Sequence, residues 1–417
     1  MKIEILCTGD EILTGKTVNT NYSHLAQKLT EHGFQTYWGT TVGDDSDSLL
    51  TAFRQASERA DAVIVNGGLG PTVDDLTQEI AAQAANQPLE LNHYWLGEIE
   101  SWYHKNGRVM PTNNQKQAML PAGSELIDNP IGTACGFALN INNARFFFTP
   151  GVPREFKLMV EDEILPRLQA MRGNTIYTQV KRFHSFGIGE SRADRLLADI
   201  EKMAPQRDVK LGFQSHFPQL ETKLTISDNN QDTLKKKLEP LTNAVREKLG
   251  NFVVAEDNET LEGVIIQALA KSNALLAIAE TGTAGGVLSR LLGCSSNNNI
   301  TRGYAATNYD ELCVMLDASN NTGIAPNQPV AETVHQLCES AQCSIGLMVH
   351  LEHNQKSNES ANISIAIGNK TGVHVREGIL PGRVGWTKTA AIELALDCLR
   401  RYLLNLPVYE RIDFEQH

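Results

Sequence analysis

The chain has 417 residues, and at roughly 150 residues per domain that length predicts two or three domains rather than one core. Apolar residues make up 41% and charged residues 21%, a balance that can bury a core and excludes a wholly disordered chain. The net charge of −12 has the wrong sign for coating nucleic acid or anionic lipid, so the composition fits an acidic solution enzyme.

In chain order, Ile3 to Cys7 reads as a strand, and Tyr22, Leu25, Ala26 and Leu29 recur at helical spacing until Gly33 supplies a stop. Phe34 to Val42 is extended. A second helix carries Leu49, Leu50, Phe53 and Ala56 on one face, followed by the apolar strand Ala62 to Val65, a glycine-rich turn and a helix over Leu76 to Ala85. This alternation predicts right-handed crossovers and a doubly wound, mainly parallel sheet covered by helices. The polar stretch 92–130 reads as a helical insertion anchored by Trp95, Trp102 and Tyr103. Gly136 to Asn140 and Arg145 to Thr149 read as a hairpin pair, and Pro153 opens a helix closing a first domain over 1–172. A small middle α/β module over 173–255 holds extended runs Tyr177 to Phe186 and Glu221 to Ile226 and a helix opening near Glu190. A third α/β domain over 256–417 has a helix Leu261 to Ala270, strands Leu275 to Ala279, Ile345 to Val349 and Ile363 to Ile367, and a terminal helix Ala390 to Leu404.

The seven cysteines are scattered without zinc-site spacing, so reduced packing residues are expected. No apolar window is long enough to span a membrane, and the first residues do not resemble a signal peptide, which together predict a cytoplasmic protein.

In an open parallel sheet, ligands bind beyond the carboxyl ends of the strands. Thr8-Gly9-Asp10-Glu11 leaves the first strand, and Gly67-Gly68-Leu69-Gly70-Pro71-Thr72-Val73-Asp74-Asp75 leaves the third, on the same sheet edge. Glycines 67, 68 and 70 allow backbone N–H groups to approach a phosphate, and the helix following Thr72 is expected to add its positive end. Asp10, Glu11, Asp74 and Asp75 would repel that phosphate without a divalent cation, which points to Mg²⁺ or Mn²⁺. Equally, Asp74 and Asp75 can simply decorate a first helical turn, and Glu11 a solvated turn. A third loop, Pro150 to Glu155, offers Glu155 to the same pocket or serves only as a rigid connection. Lys116 is either a phosphate cation or a solvated lysine.

These segments resemble the CinA family in their order: Thr8-Gly9-Asp10-Glu11-Ile12-Leu13-x-Gly15, Asn19-Thr20-Asn21, Thr41-Val42-Gly43-Asp44, Asn66 to Thr72-x-Asp74-Asp75, Gly132-Thr133-Ala134-x-Gly136 and Phe148 to Pro153-x-Glu155. The resemblance implies a first domain similar to the molybdopterin-binding fold of MogA and MoeA. It also implies a metal-dependent pyrophosphatase of NAD metabolism that splits ADP-ribose into AMP and ribose 5-phosphate, with Co²⁺ a third candidate ion. On that basis Asp10, Asp74, Asp75 and Glu155 are expected in catalysis, with Asp10 and Asp75 on the metal. Thr8, Gly9, Gly67, Gly68, Gly70, Thr72 and Lys116 are expected on phosphate or nucleotide. The expected partners are a small-molecule nucleotide and a second copy of the chain, as a homodimer.

The family's C-terminal domain is similar to nicotinamide mononucleotide deamidase, with a serine in Glu-Ser-Cys-Thr-Gly-Gly. Here Glu280-Thr281-Gly282-Thr283-Ala284-Gly285-Gly286 leaves Thr281 as the one substitute hydroxyl, the expected Tyr and Lys become Ala306 and Glu311, and the glycine loop is replaced by His350 to Gln355. A structural or dimerisation module that has lost its chemistry is expected. A deamidase using Thr281 and a non-catalytic nucleotide or pterin binder are the alternatives. His350 and His353 should point to opposite faces of their strand, which argues against a metal pair.

Overall fold

Period-two alternation along the first strands decides which helices cover which face. In β1 (Ile3–Thr8), β3 (Ala62–Asn66) and β8 (Ala144–Thr149), Val63, Val65, Phe146 and Phe148 pack with Leu49, Phe53 and Ile80, while Ile3, Ile5, Ile64 and Phe147 pack with Leu25, Leu29, Phe156 and Leu168. Burial on both faces accounts for the continuous apolar runs. The computed structural model describes the chain apart from 174–175, 205–208, 295–297, 321–329, 354–358 and 416–417, and the side chains of 317–320 also lie outside the description. The described chain forms two compact units, Met1–Gln179 with Ser227–Leu234, and Val180–Ile226 with Lys235–His417.

In the first unit the order is β1, α1 (Asp10–Leu13), α2 (Thr20–Glu31), β2 (Thr36–Val42), α3 (Ser46–Arg59), β3, α4 (Thr77–Ala84), β4 (Leu89–Leu91), α5 (His93–Lys105), β5 (Met119–Pro121), β6 (Glu125–Ile127), β7 (Gly136–Ile141), β8, α6 (Pro153–Met159) and α7 (Leu165–Arg172). Asn19 and Asp45 cap α2 and α3 by accepting from the Tyr22 and Ser48 amides. The six-stranded sheet runs β2-β1-β3-β8-β7-β6, parallel through the first four strands and antiparallel at β7 and β6. The doubly wound, mainly parallel sheet is as expected, and so is the hairpin of β7 and β8. The helical insertion over 92–130 is not: only α5 is an α-helix, Gly107 turns with φ of +66°, and the segment continues as a 3₁₀ turn (Thr112–Ala118), β5 and β6.

Next come β9 (Tyr177–Phe186), α8 (Glu190–Leu197), β10 (Val209–His216), β11 (Gln219–Asp228), α9 (Gln231–Leu249) and β12 (Val253–Glu256), whose sheet runs β10-β11-β9-β12. The last set is α10 (Leu261–Ser272), β13 (Leu276–Thr281), α11 (Gly286–Leu292), β14 (Ile300–Ala306), α12 (Tyr309–Asn320), α13 (Val330–Ser340), β15 (Ile345–His353), β16 (Ser360–Asn369), β17 (Gly372–Pro381) and α14 (Val384–Leu403). Its sheet runs β14-β13-β15-β16-β17, with β14, β13 and β15 parallel. β15 runs four residues beyond Val349, so His350 and His353 are strand residues; Asn354 and Gln355, like Asn174 at the expected domain boundary, lie outside the described residues. All seven cysteines are free, and six are buried. Among the described residues no helix is long and apolar enough to cross a membrane.

Candidate active site

Parallel register brings four strand ends to one edge: Thr8 pairs with Val42, Cys7 with Asn66, and Asn66 with Thr149. The loops that follow enclose a cavity of about 660 Å³. Its floor is a buried amide and hydroxyl network. The Asn21 amide donates to Asn66 Oδ1 at 3.0 Å and to the Gly151 carbonyl at 2.8 Å, and the Asn66 amide donates to the Pro150 carbonyl at 2.7 Å. Thr149 Oγ1 donates to the Val65 carbonyl at 2.9 Å. Thr8 Oγ1 and Asn21 Oδ1 are buried without a hydrogen-bond partner, and both residues line the cavity. Buried polar atoms are ordinarily satisfied, so this is an unmet hydrogen-bonding capacity at the ligand end.

The glycine loop is stitched in place by Thr77, whose Oγ1 donates to the Gly67 carbonyl at 3.0 Å and whose amide donates to the Gly68 carbonyl at 3.2 Å. A β-carbon on Gly68 would stand 2.1 Å from Thr77 Oγ1, and φ there is +70°, so only glycine fits. The first residue of α4 is Thr77, and its amide is already engaged. The expected positive helix end directly after Thr72 is therefore replaced by a turn. Asp74 and Asp75 belong to that turn and do not decorate the first turn of α4, where Glu79 stands instead. Asp75 Oδ2 accepts from the Thr72 amide at 2.9 Å and from the Thr72 hydroxyl, and it lies against Gly70.

Glu11, Asp44, Asp74 and Asp75 line the cavity with Thr8, Gly9, Gly67, Gly68, Gly70 and Thr72; Asp10 and Lys116 do not. The Asp10 amide donates to Asp44 Oδ2 at 3.0 Å and Asp10 Oδ1 accepts from the Asp44 amide at 3.3 Å, so Asp10 braces Asp44 rather than facing the ligand. Lys116 Nζ donates to the Thr72 carbonyl at 2.6 Å and so holds the loop rather than presenting a free cation. Asp44 received no role from the sequence. Burial pushes its carboxyl above the ordinary range, and the charges of Asp10, Glu11 and Asp75 add to that against the Asp10 amide bond. The signal for it was present in Thr41-Val42-Gly43-Asp44, a carboxylate at a strand end.

Hard carboxylate oxygens suit a divalent ion, yet among the described residues no three metal-binding side chains already converge. An ion there would have to be completed by phosphate oxygens and water, as Mg²⁺ usually is. Glu155 also lines the cavity, beside the Pro150 loop; its Oε2 accepts from Asn129 Nδ2 at 2.9 Å, and burial raises its carboxyl above the ordinary range.

The corresponding strand edge of the last sheet is differently filled. Thr281 pairs in register with Ala306 on one side and His350 on the other, and Thr281 Oγ1 lies 2.7 Å from His350 Nδ1. Thr281 is 1% exposed. Fully buried Glu280 accepts from the Thr283 hydroxyl and from the Val287 and Leu288 amides, capping α11. Glu311 accepts from the Thr307 amide at 3.0 Å while its own amide donates to Asn308, a cap for α12. His353 turns to Thr387 of α14, the opposite face from His350, as strand alternation requires.

The chain matches the family described as Probable molybdopterin binding domain over residues 4–170 and the family described as Damage-inducible protein CinA KH domain over residues 180–255. A CinA-like protein of Shewanella loihica is 36% identical over 98% of this chain and 97% of its own length. The chain belongs to the CinA-like family. Another CinA-like protein, from Shewanella sediminis, is 34% identical over 97% of this chain and 96% of its own. The solved CinA structure from Thermoplasma acidophilum, described there as of unknown function, is 37% identical with a TM-score of 0.36, covering 38% of this chain and 94% of that one. The CinA-like family match covers both compact units, and the molybdopterin-binding match falls on the sheet that carries the cavity.

Proposed function

We propose that the first unit hydrolyses ADP-ribose to AMP and ribose 5-phosphate with a divalent ion, Mg²⁺, Mn²⁺ or Co²⁺. The observation that carries this reading is that a clash-restricted glycine loop lines one cavity together with the carboxylates Glu11, Asp44, Asp74 and Asp75. The Gly67 N–H is held by the Thr149 carbonyl at 3.0 Å, so the N–H groups of Gly68, Leu69 and Gly70 and the unpartnered Thr8 hydroxyl would donate to phosphate oxygens. The carboxylates would hold the ion with those oxygens, and Asp10 keeps Asp44 oriented toward the cavity. When bound, the ion supplies charge neutralisation and an acidified water. Water adds to one phosphorus, the bridging P–O bond breaks, and the two monophosphates leave with the water's proton passed to solvent or to a cavity carboxylate.

Lys116 and Thr72 set the loop that carries Asp75, so we assign them to positioning. The Thr281 alternative finds less support, because that hydroxyl is buried and committed to His350. Purified full-length protein incubated with ADP-ribose, with each ion and with EDTA, tests the proposal by chromatography of AMP. Binding without release of AMP under every ion would replace it with the non-catalytic reading.

A further inference from the structure

Glu155 is built into the cavity wall by a device that the hydrolytic reading leaves unused. Asn129 is 2% exposed and each of its polar atoms is committed. Its Oδ1 accepts from the Gly132 amide at 3.2 Å and the Ile131 amide at 3.4 Å, and its Nδ2 donates to the Ala134 carbonyl at 2.7 Å and to Glu155 Oε2 at 2.9 Å. A β-carbon on Gly132 would overlap the Glu155 carboxyl, so the chain keeps that position bare to let the carboxyl lie there. One oxygen of Glu155 is thus fixed and the other has no partner among the described residues, although the residue lines the cavity. Arg154 and Lys157, its nearest cations in sequence, are exposed, and among the described residues the carboxyl has no ion-pair partner.

A half-buried carboxyl without a cation is costly unless a donor arrives with the ligand. The surroundings say what kind of donor. The loop preceding Glu155 abuts the glycine loop, with a β-carbon on Gly151 only 3.6 Å from Gly67 Cα, so this wall stands beside the phosphate end. Val18 and Val152 also line the cavity, and they are 82% and 52% exposed. Apolar side chains beside a fixed polar group are how pockets orient a ligand and choose among related ones.

From this geometry we propose that Glu155 is a specificity residue that accepts a hydrogen bond from the exocyclic amine of an amino-substituted nitrogen heterocycle, the ring of a nucleotide whose phosphate lies on the Gly67–Gly70 loop. The proposal rests on the cavity being a nucleotide site but does not require turnover. Two sources share the chemistry, a 6-aminopurine and a 2-amino-4-oxo ring of the guanine or pterin type.

The test is calorimetric binding to the full-length protein of AMP, GMP, inosine 5′-monophosphate and ribose 5-phosphate, with one divalent ion held constant. Inosine 5′-monophosphate lacks the amine and ribose 5-phosphate lacks the ring. The expected result is that AMP or GMP binds about tenfold or more tightly than inosine 5′-monophosphate, and that Glu155→Ala removes this preference while changing the affinity for inosine 5′-monophosphate and ribose 5-phosphate less than about twofold. Which of AMP and GMP loses affinity identifies the source. Glu155→Gln must turn its one oxygen to the Asn129 amide, which leaves an NH2 facing the ligand amine, so it should lose the preference as the alanine variant does. It also stands in if the alanine variant fails to fold. Equal weakening of all four probes in the variants, or no preference for an amine in the wild type, overturns the proposal. A preserved preference without ADP-ribose hydrolysis would instead fail the hydrolytic reading alone.

Discussion

At the carboxyl edge of the first sheet, polar groups are left over: Thr8 Oγ1 and Asn21 Oδ1 have no partner, and five carboxylates line one cavity. At the same edge of the last sheet, the chemistry-bearing residues satisfy one another. Thr281 is held by His350, Glu280 by three donors, and Glu311 by Thr307. Both edges are where parallel α/β sheets place ligands. On the proposed reading, position in the fold alone does not make a site: the first edge keeps polar groups free for a ligand, and the last edge spends them internally. The contrast can be broken at either edge.

The largest effect should come from Gly68→Val, because the new side chain would meet Thr77 Oγ1 and the backbone has positive φ. ADP-ribose hydrolysis should be undetectable, with the apolar core still giving a cooperative melt by circular dichroism. Next, Asp75→Asn preserves an acceptor for Thr72 but removes a charge from the cavity, so hydrolysis should fall steeply and need far more metal, as a titration with Mn²⁺ would show. Asp10→Ala should cost less, about tenfold to a hundredfold, since it removes only the oxygen that accepts from the Asp44 amide and so acts by orienting Asp44.

At the other edge, Thr281→Ala should leave AMP release unchanged. It strands a half-buried imidazole nitrogen, so chemical denaturation should show a loss of about 1 kcal/mol. Burial holds the His350 imidazole below its ordinary value of 6.5, with Glu352 opposing weakly. The unfolded chain therefore takes the proton first, and the stability His350 contributes is present above 6.5 and lost as pH falls through the folded value.

The smallest effect concerns Glu155. Its carboxyl is raised above 4.5 by burial, so the folded protein holds that proton more firmly than the unfolded chain. The stability from this group is full below 4.5 and is lost as pH rises through the folded value. Melting temperatures of Glu155→Gln and wild type should coincide at the acid end, and the variant should melt slightly higher at neutral pH. A gap that opens instead on acidification would reverse the assigned sign.

Much of the first sheet was legible because its strands are apolar on both faces and are separated by helices with regular spacing. The glycine loop and its aspartates were legible for a similar reason: they are contiguous. Asp44 was passed over because Gly43-Asp44-Asp45 looks locally like a helix cap, and Asp45 does serve as one; only the pairing of Thr8 with Val42 carries Asp44 to the cavity. Asn129 and Glu155 lie 26 residues apart with no local signal of contact. β10 and β17 escaped notice because they lie at sheet edges, where exposed polar residues interrupt the alternation. Asp10 and Lys116 show the opposite case: their residue types suited the chemistry, while their side chains are engaged in holding loops.

The most direct measurement of where the chemistry lies assays AMP from ADP-ribose and ammonia from nicotinamide mononucleotide in parallel, on full-length wild type, Asp75→Asn and Thr281→Ala. The account predicts metal-dependent AMP release that is lost in Asp75→Asn and kept in Thr281→Ala, with no ammonia from any of the three. Ammonia release that disappears in Thr281→Ala, with no AMP from the wild type under any of the three ions, would contradict it.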